Sequence, residues 1–461
     1  MKILYLSHRI PYPPNKGDKI RSFNEIKYLS QRHEIHLACL ADNPKDLKYQ
    51  EELKKYCKTV RVVLINPQLA KLKSIFYLLT KEPLTIPYFY SRKLQRTIDH
   101  LLLTIDFDII FCFSSPMAEY IFKSRVSSPQ SIVYSQKTKD YQPLTNKPVS
   151  MSQKPTTNNH RLRTKLIMDF VDVDSDKWAQ YSKYARFPMS WIYALEGRRL
   201  ADYERKVAEA FDHSIFVTQA EVEVFNKLNP HIQGVIAISN GVDLDHFSPN
   251  YLHRESASDQ DQSAKGRDSS TVDYRPSAIS HQPSAIDHRP VIVFTGAMDY
   301  YANIDGVVWF AKEILPLIKK EIPEIQFFIV GSNPPREVLS LSSNKGVTVT
   351  GYVPDTREYL NRATVVVVPL RIARGIQNKI LEAMAMGLPV IATPQAFEGI
   401  DAQPKRDLIL GEDTEKFGES VVQLIRNISL RKCLGDNARK AVEDNYSWVK
   451  NLGKLDEVMS P

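Results

Sequence analysis

Arg371-Ile-Ala-Arg-Gly-Ile-Gln-Asn-Lys-Ile-Leu-Glu-Ala-Met-Ala-Met-Gly-Leu-Pro-Val-Ile-Ala-Thr393 decides how this chain is read. An all-apolar run, Val365–Val368, comes just before it and reads as a buried strand. A Pro and a basic turn with Arg371 and Arg374 follow. The spacing then predicts a helix starting at Gly375, with Lys379 in its first turns and Glu382 further along. Gly387-Leu-Pro-Val-Ile-Ala returns to a second buried strand. A helix start exposes unpaired N–H groups and the positive end of a dipole. Two arginines and a lysine added there make a pocket for a diphosphate. Arg371, Arg374, Gly375 and Lys379 are the diphosphate candidates, and Glu382 is placed to accept hydrogen bonds from ribose hydroxyls. Strand, phosphate-binding helix, carboxylate and strand outline a nucleotide-sugar site. An ordinary crossover with a charged surface turn is the competing reading.

Outward from that stretch, apolar runs alternate with amphipathic ones. Ile3–Leu6, Ile35–Leu40, Val60–Ile65, Ile109–Phe113, Leu166–Val173, Ser214–Val217 and Val235–Ile238 read as buried strands. After a gap the rhythm restarts with Val291–Thr295, Gln326–Val330, Val347–Thr350, Val365–Val368 and Val390–Ala392. The fold class is α/β, with two Rossmann-like, doubly wound parallel-sheet domains. A length of 461 residues fits two or three domains.

The gap, Tyr251–Pro290, is rich in Ser, Asp, Gln, Arg and His and holds a near-repeat around Pro276, Pro283 and Pro290. It is expected to be a disordered linker, because it has little apolar surface to offset its ordering entropy. Its histidines (His253, His281, His288) are read as incidental rather than as a metal site. Residues 127–163 are expected to form a polar surface insertion. The division expected is 1–249 as an acceptor-side domain, 250–290 as linker, 291–440 as a donor domain, and 441–461 as a helix crossing back to the first domain.

Several turns carry candidate site residues. Ser7-His-Arg-Ile-Pro-Tyr-Pro-Pro-Asn-Lys-Gly-Asp-Lys-Ile-Arg-Ser-Phe follows the first strand. There Gly17 is placed to admit a phosphate, Asp18 to cap a helix, and Lys19 and Arg21 to face an acceptor. A capped helix with solvated lysines is the alternative. Ser115 follows the fourth strand, and Asp169-Phe-Val-Asp-Val-Asp-Ser-Asp-Lys-Trp178 follows the fifth. Residues at the carboxyl ends of parallel strands point into the ligand crevice. Asp172 and Asp174 are therefore the candidates for a base on an acceptor hydroxyl, or for orienting sugar hydroxyls; a divalent metal held by the acids and a helix N-cap with exposed acids are the competing readings. In the second half, Gly296 offers close approach to a sugar phosphate and Asn303 a helix cap, while Gly331, Gly351 and Val353 form turns after the next two strands.

These motifs resemble the GT-B glycosyltransferases of family 4. There a helix with glutamates spaced E-x7-E precedes a G-x-P-V-I strand. Glu382 matches the second glutamate, while Arg374 stands where the first would be. Ser239-Asn-Gly-Val-Asp-Leu-Asp-His-Phe-Ser-Pro249 is similar to the N-G-V-D-x-x-x-F-x-P element ending the N-terminal domain of such enzymes. Many members place an Arg and a Lys after the glycine matching Gly296. Met298 and Asp299 stand near those places here, which shifts the diphosphate to Arg371, Arg374 and Lys379, with Arg374 also given a catalytic role. H-R-I-P-Y-P-P-x-K-G-D-K-I-R-S-F, D-F-V-D-V-D-S-D-K-W and A-R-G-I-Q-N-K-x-L-E-A-M-A-M are similar to sugar transferases associated with PEP-CTERM/exosortase exopolysaccharide systems. The resemblance implies two domains facing across a cleft and base-side contacts from Gly331, Gly351 and Val353. It further implies retention of configuration, and a cytoplasmic transferase adding sugar to a lipid-linked glycan. No cofactor is expected beyond the nucleotide sugar as co-substrate, and no divalent metal is expected.

Composition agrees with that class. Four scattered cysteines, with no C-x-x-C and no paired His, argue against a disulfide framework or zinc. No signal peptide or transmembrane run is expected. The net charge of +8 suits anionic partners, and no nucleic-acid motif accompanies it. Residues 70–97 hold six basic side chains, one acid and several aromatics, so peripheral contact with an anionic membrane is expected there, or an ordinary domain surface. Two rival classes share the frame: a non-catalytic sugar-nucleotide-binding regulator, and an epimerase or phosphorylase.

Overall fold

The computed structural model describes residues 1–124, 126, 164–249 and 289–460. The polar insertion expected over 127–163 lies outside them, as do residues 250–288 of the expected linker with their three histidines. The described chain divides into two compact units, Met1–Asn240 with Val449–Pro461, and Gly241–Trp448.

The first unit is built on seven parallel strands: β1 (Lys2–Ser7), β2 (Glu34–Ala41), β3 (Thr59–Leu64), β4 (Ile109–Phe113), β5 (Lys165–Val171), β6 (His213–Phe216) and β7 (Val235–Ala237), in the order β3-β2-β1-β4-β5-β6-β7. The second holds β8 (Val291–Thr295), β9 (Gln326–Val330), β10 (Val347–Gly351), β11 (Val365–Val368), β12 (Val390–Ala392) and β13 (Ile409–Leu410), in the order β10-β9-β8-β11-β12-β13. Central strands such as β4, β8, β11 and β12 are buried along their whole length, as strands covered on both faces must be. Each unit has its own apolar core. All strand pairings among the described residues are parallel, the arrangement that crossover connections within a sheet produce.

Both orders reverse direction at one point: between β1 and β4 in the first unit, and between β8 and β11 in the second. At such a switch the crossovers leave on opposite sides and open a crevice beyond the strands' carboxyl ends. Residues just after β1, β4, β8 and β11 are therefore the ones placed for ligands.

Three local expectations need correcting. The helix expected from Gly375 begins at Asn378 (Asn378–Ala385), because Gly375 has φ +63°, outside helical space. β5 stops at Val171 rather than running to Val173, since the Asp169 carboxylate accepts the Val171 N–H at 2.8 Å and Val171 takes φ +71°. Asp18 does not cap the helix Gly17–Leu29; the cap position is Lys16, without a side-chain bond, and Asp18 lies in the first turn. The C-terminal residues join the first unit through Asp456, which accepts from Tyr28 Oη at 2.8 Å and Arg32 Nη1 at 2.6 Å.

Candidate functional site

The second unit's switch point gathers the densest set of candidates. β8 ends in Thr295, and Gly296 follows with its N–H donated to Val330 O at 2.9 Å. A Cβ on Gly296 would lie 2.8 Å from Asn303 Nδ2 and 3.3 Å from Lys379 Cε. The glycine thus makes room for two side chains, and its own N–H is not available to a phosphate. Gly331, after β9, makes room for Gly296 in turn: a Cβ there would sit 1.7 Å from Gly296 O. Gly331→Ala forces two strand ends apart, and we expect it to cost about 1–3 kcal/mol, read as a lower denaturation midpoint.

Lys379 is the cation at this point. Its Nζ donates to Asn303 Oδ1 at 2.8 Å and lies 5.1 Å from the centre of the Phe294 ring. Asn303 is buried and does not cap the helix Tyr301–Trp309; it donates instead to Ala297 O at 2.8 Å. The Asn303 oxygen is thereby turned toward the ammonium. Burial pushes Lys379 down to about 8, with Glu382 opposing the shift. Burial pushes Glu382 up to about 7, with Lys379 opposing. The two stand three residues apart on one helix, near neighbours on its surface.

The two arginines pair with carboxylates. Arg371 pairs through two nitrogens with Asp305, one contact at 2.9 Å, and its guanidinium lies 5.6 Å from the Trp309 ring centre. Arg374 pairs with Glu398 at 2.9 Å. Lys379, Arg371 and Arg374 thus have different partners, a neutral amide for the lysine and carboxylates for the two arginines, so a diphosphate meeting the arginines competes with Asp305 and Glu398. Gly375 supplies the left-handed turn between them. Gly351 ends β10 with φ +70° at a register shift, and Val353 packs against the second core.

At the first unit's switch point, the residue after β1 is His8. It is buried between Phe113, stacked at 5.9 Å, and Phe89, edge-on at 5.1 Å. Its Nε2 lies 3.2 Å from Asp18 Oδ2, and its buried Nδ1 has no partner among the described residues. Asp18 also accepts from Arg9 Nη1 at 2.7 Å, and hydrogen bonds from His8 and Arg9 hold its carboxyl far below the usual range despite burial. The sequence reading passed over His8; its signal was a histidine directly after the first strand, ahead of a proline-rich loop. Ser114, after β4, has φ +74°, and the buried Ser115 Oγ is unpartnered among the described residues.

Three residues expected on the acceptor side, Arg21, Lys19 and Asp174, each meet a charged partner within the first unit. Arg21 is fully enclosed: its Nε donates to Asp169 Oδ2 at 2.7 Å, and its Nη1 to Ile238 O at 2.8 Å and Asn240 Oδ1 at 3.0 Å. It cannot touch a ligand in this arrangement. Lys19 is buried against Asp46 at 2.8 Å. Asp174 is the first residue of the helix Asp174–Tyr184 and pairs with Lys177. Gly17 is exposed at the start of its helix. Asp172 lies in the turn after the strained Val171, and burial raises its carboxyl, with Lys177 opposing. Buried carboxylates pin that turn from below: Glu221 accepts the Val173 N–H at 2.5 Å and Glu204 the Ser175 N–H at 3.0 Å. Among the described residues no three His, Cys, Asp or Glu side chains cluster as a metal set.

Residues 289–427 match the family model of the group 1 glycosyl transferases. A capsular polysaccharide biosynthesis glycosyltransferase, CapM of Staphylococcus aureus, is 30% identical over 113 residues, 24% of this chain and 30% of that protein. The matched part spans less than half the length of the curated relatives. Among solved structures, sucrose-phosphate synthase from Thermosynechococcus elongatus superposes with a TM-score of 0.63 at 14% identity, covering 99% of this chain and 98% of that one. HepE from Anabaena, solved in complex with UDP, superposes with a TM-score of 0.60 at 13% identity, covering 100% and 99%. At such identities the likeness establishes the fold, which is GT-B.

Proposed function

We propose that this chain is a glycosyltransferase of the family 4 type, taking a sugar from a nucleotide-sugar donor held at the second unit's switch point. The observation that carries the reading is Lys379. Its ammonium is bonded to a neutral amide, beside a strand-end glycine, with the Glu382 carboxyl three residues on. A diphosphate matches the cation, and ribose hydroxyls match the carboxylate. Gly331, Gly351 and Val353 are assigned the base-side turns. UDP is the first nucleotide to try, because HepE was solved with it.

In the reaction the bond from the anomeric carbon to the diphosphate oxygen breaks, and its electron pair stays on that oxygen. Lys379 stabilises the growing charge. Arg371 and Arg374 contribute only where the ligand displaces Asp305 and Glu398. The acceptor hydroxyl oxygen bonds to the anomeric carbon, and with retention its proton passes to the departing phosphate. Asp172, Ser115 and His8 are assigned to orienting the acceptor, and Lys19, Arg21 and Asp174 to holding the elements that carry them. The acceptor we propose is a lipid-linked glycan of exopolysaccharide assembly, of the PEP-CTERM/exosortase type, on the cytoplasmic side of the membrane. The match to CapM supports a polysaccharide role. The proposal includes no metal or cofactor step.

Screening UDP-, GDP- and ADP-sugars by thermal shift, then by nucleoside diphosphate release with glycan acceptors, tests this. Stabilisation by one donor and release that depends on acceptor support it; binding without turnover makes the protein a regulator. The pH dependence is a further test. Below about 7 Glu382 takes up a proton and loses an acceptor site; above about 8 Lys379 loses its charge. We expect kcat/KM to peak between these values and to fall by up to roughly tenfold per unit on either side. A bound diphosphate favours the ammonium, so donor binding at the alkaline edge takes up a proton.

A further inference from the structure

We propose that the first unit docks on an anionic lipid bilayer through an outward apolar face formed by the helix Pro67–Phe76, the turn after it and residues 184–191. This goes beyond the transfer reaction and depends on no feature of the donor site.

In the helix Pro67–Phe76, Ala70 and Ser74 turn inward, whereas Leu69, Leu72, Ile75 and Phe76 are exposed on the opposite side. Their spacing of three and four residues makes a continuous stripe. Leu79, 94% exposed, prolongs it through the turn Tyr77–Leu79. Lys71 and Lys73 stand at its two margins; Lys73 also touches Tyr90 O at 3.3 Å. A second segment supplies Tyr184, Phe187, Met189 and Trp191, with Phe187 82% exposed. Together the two segments carry nine of the nineteen large apolar side chains exposed among the described residues. Soluble surfaces rarely gather apolar side chains in this way without a partner.

The segments are tied together from behind by one helix, Met189–Ala210. Its buried Glu196 accepts the Leu84 N–H at 2.6 Å and the Thr85 N–H at 2.9 Å. Its Arg199 donates to the carbonyls of Tyr77 and Leu78, each at 3.1 Å, and of Thr80. Met189 lies two turns before Glu196 on the same side of that helix, roughly 10 Å along its axis. The face is thus preformed. It is narrower than the 70–97 stretch marked by composition, because the aromatics at its far end point inward: Phe89 packs on His8 and Tyr90 stacks on Tyr120 at 5.3 Å.

Charge selects the occupant. Residues 67–82 and 183–191 carry five cations (Lys71, Lys73, Lys81, Lys183, Arg186) and one acid, Glu82. An apolar stripe with Trp and Phe, rimmed by cations, matches the boundary between acyl chains and anionic headgroups. A second copy would bring like charges face to face across a two-fold axis. No helix among the described residues is long and apolar enough to cross a membrane, so contact through this face is interfacial.

Sedimentation of the full chain with phosphatidylcholine vesicles, with and without phosphatidylglycerol, tests the proposal without donor or acceptor. Its outcome is therefore separate from that of the transfer assay. We expect at least tenfold tighter partitioning onto the anionic vesicles, weakened by salt. Leu72→Glu/Phe76→Glu and Lys71→Glu/Lys81→Glu are each expected to reduce it about tenfold, with circular dichroism and melting temperature unchanged because these side chains are exposed. A blue shift of tryptophan emission on binding, smaller in Trp191→Phe, would place that residue in the interface. Folded variants that bind like wild type would overturn the proposal, as would absence of anionic selectivity. Lipid-free self-association abolished by Leu72→Glu/Phe76→Glu, without vesicle binding, would also overturn it and assign the face to a second copy.

Discussion

Replacing Lys379 with alanine is expected to lower kcat/KM for the preferred nucleotide sugar about 10²–10³-fold while leaving the protein folded. Lys379 is the one cation of the proposed diphosphate site whose direct hydrogen-bond partner is uncharged, whereas Arg371 and Arg374 are held by Asp305 and Glu398. The ammonium therefore needs no competing ion to leave before a phosphate arrives. Losing one preorganised donor to a developing oxyanion has an effect of this size. Stability should change little, because burial already disfavours the charged form and pushes the ammonium down to about 8. Arginine is not expected to substitute, since Gly296, Asn303 and the Phe294 ring bound the space around Nζ. Arg371→Ala and Arg374→Ala should have smaller effects. The check is steady-state kinetics with thermal melts of all three variants.

Arg21→Met is expected to destabilise the first unit by about 3–5 kcal/mol, the largest stability effect we anticipate. Arg21 links the helix after β1, the end of β5 through Asp169, and the residues after β7 through Ile238 O and Asn240. Glu25 stands 3.2 Å from it and accepts from Tyr5 Oη at 2.5 Å. Burial pushes the Glu25 carboxyl well up, and the neighbouring Asp169 pushes it further, with Arg21 opposing. One buried arginine thus faces two buried carboxylates, Asp169 and Glu25. Without Arg21, Asp169 is left buried and unpaired. Arg21→Met/Asp169→Leu should recover much of the loss, which separates the penalty of a stranded charge from the worth of the pair. Denaturant unfolding of the variants measures both.

The strands were legible because their signal is local. Each of the twelve apolar runs marked in the sequence holds a strand, and of the strands among the described residues only β13, two residues long, left no periodicity to find. Helix and strand ends were harder. The start at Asn378 depends on the φ of Gly375, and the end of β5 on the side chain of Asp169 turning back to its own backbone. Partners were least legible. Arg371 and Arg374 read as anion binders because Asp305 and Glu398 lie 66 and 24 residues away along the chain. Arg21 read as an acceptor-facing cation because the residue that pairs with its charge, Asp169, is 148 residues away. His8 and Asn303 acquire meaning only when the topology places strand ends beside helix starts. Sequence periodicity places residues on elements, while the charge a site can offer is set by long-range pairings.

The central claim is that a nucleotide sugar binds with its diphosphate at Lys379, where β8 and β11 diverge. A structure of the protein in complex with the donor that most raises its melting temperature tests this most directly. We predict a phosphate oxygen within hydrogen-bond distance of Lys379 Nζ and a ribose hydroxyl on the Glu382 carboxylate. A donor bound with its diphosphate away from Lys379, and Glu382 without a contact, would contradict the account.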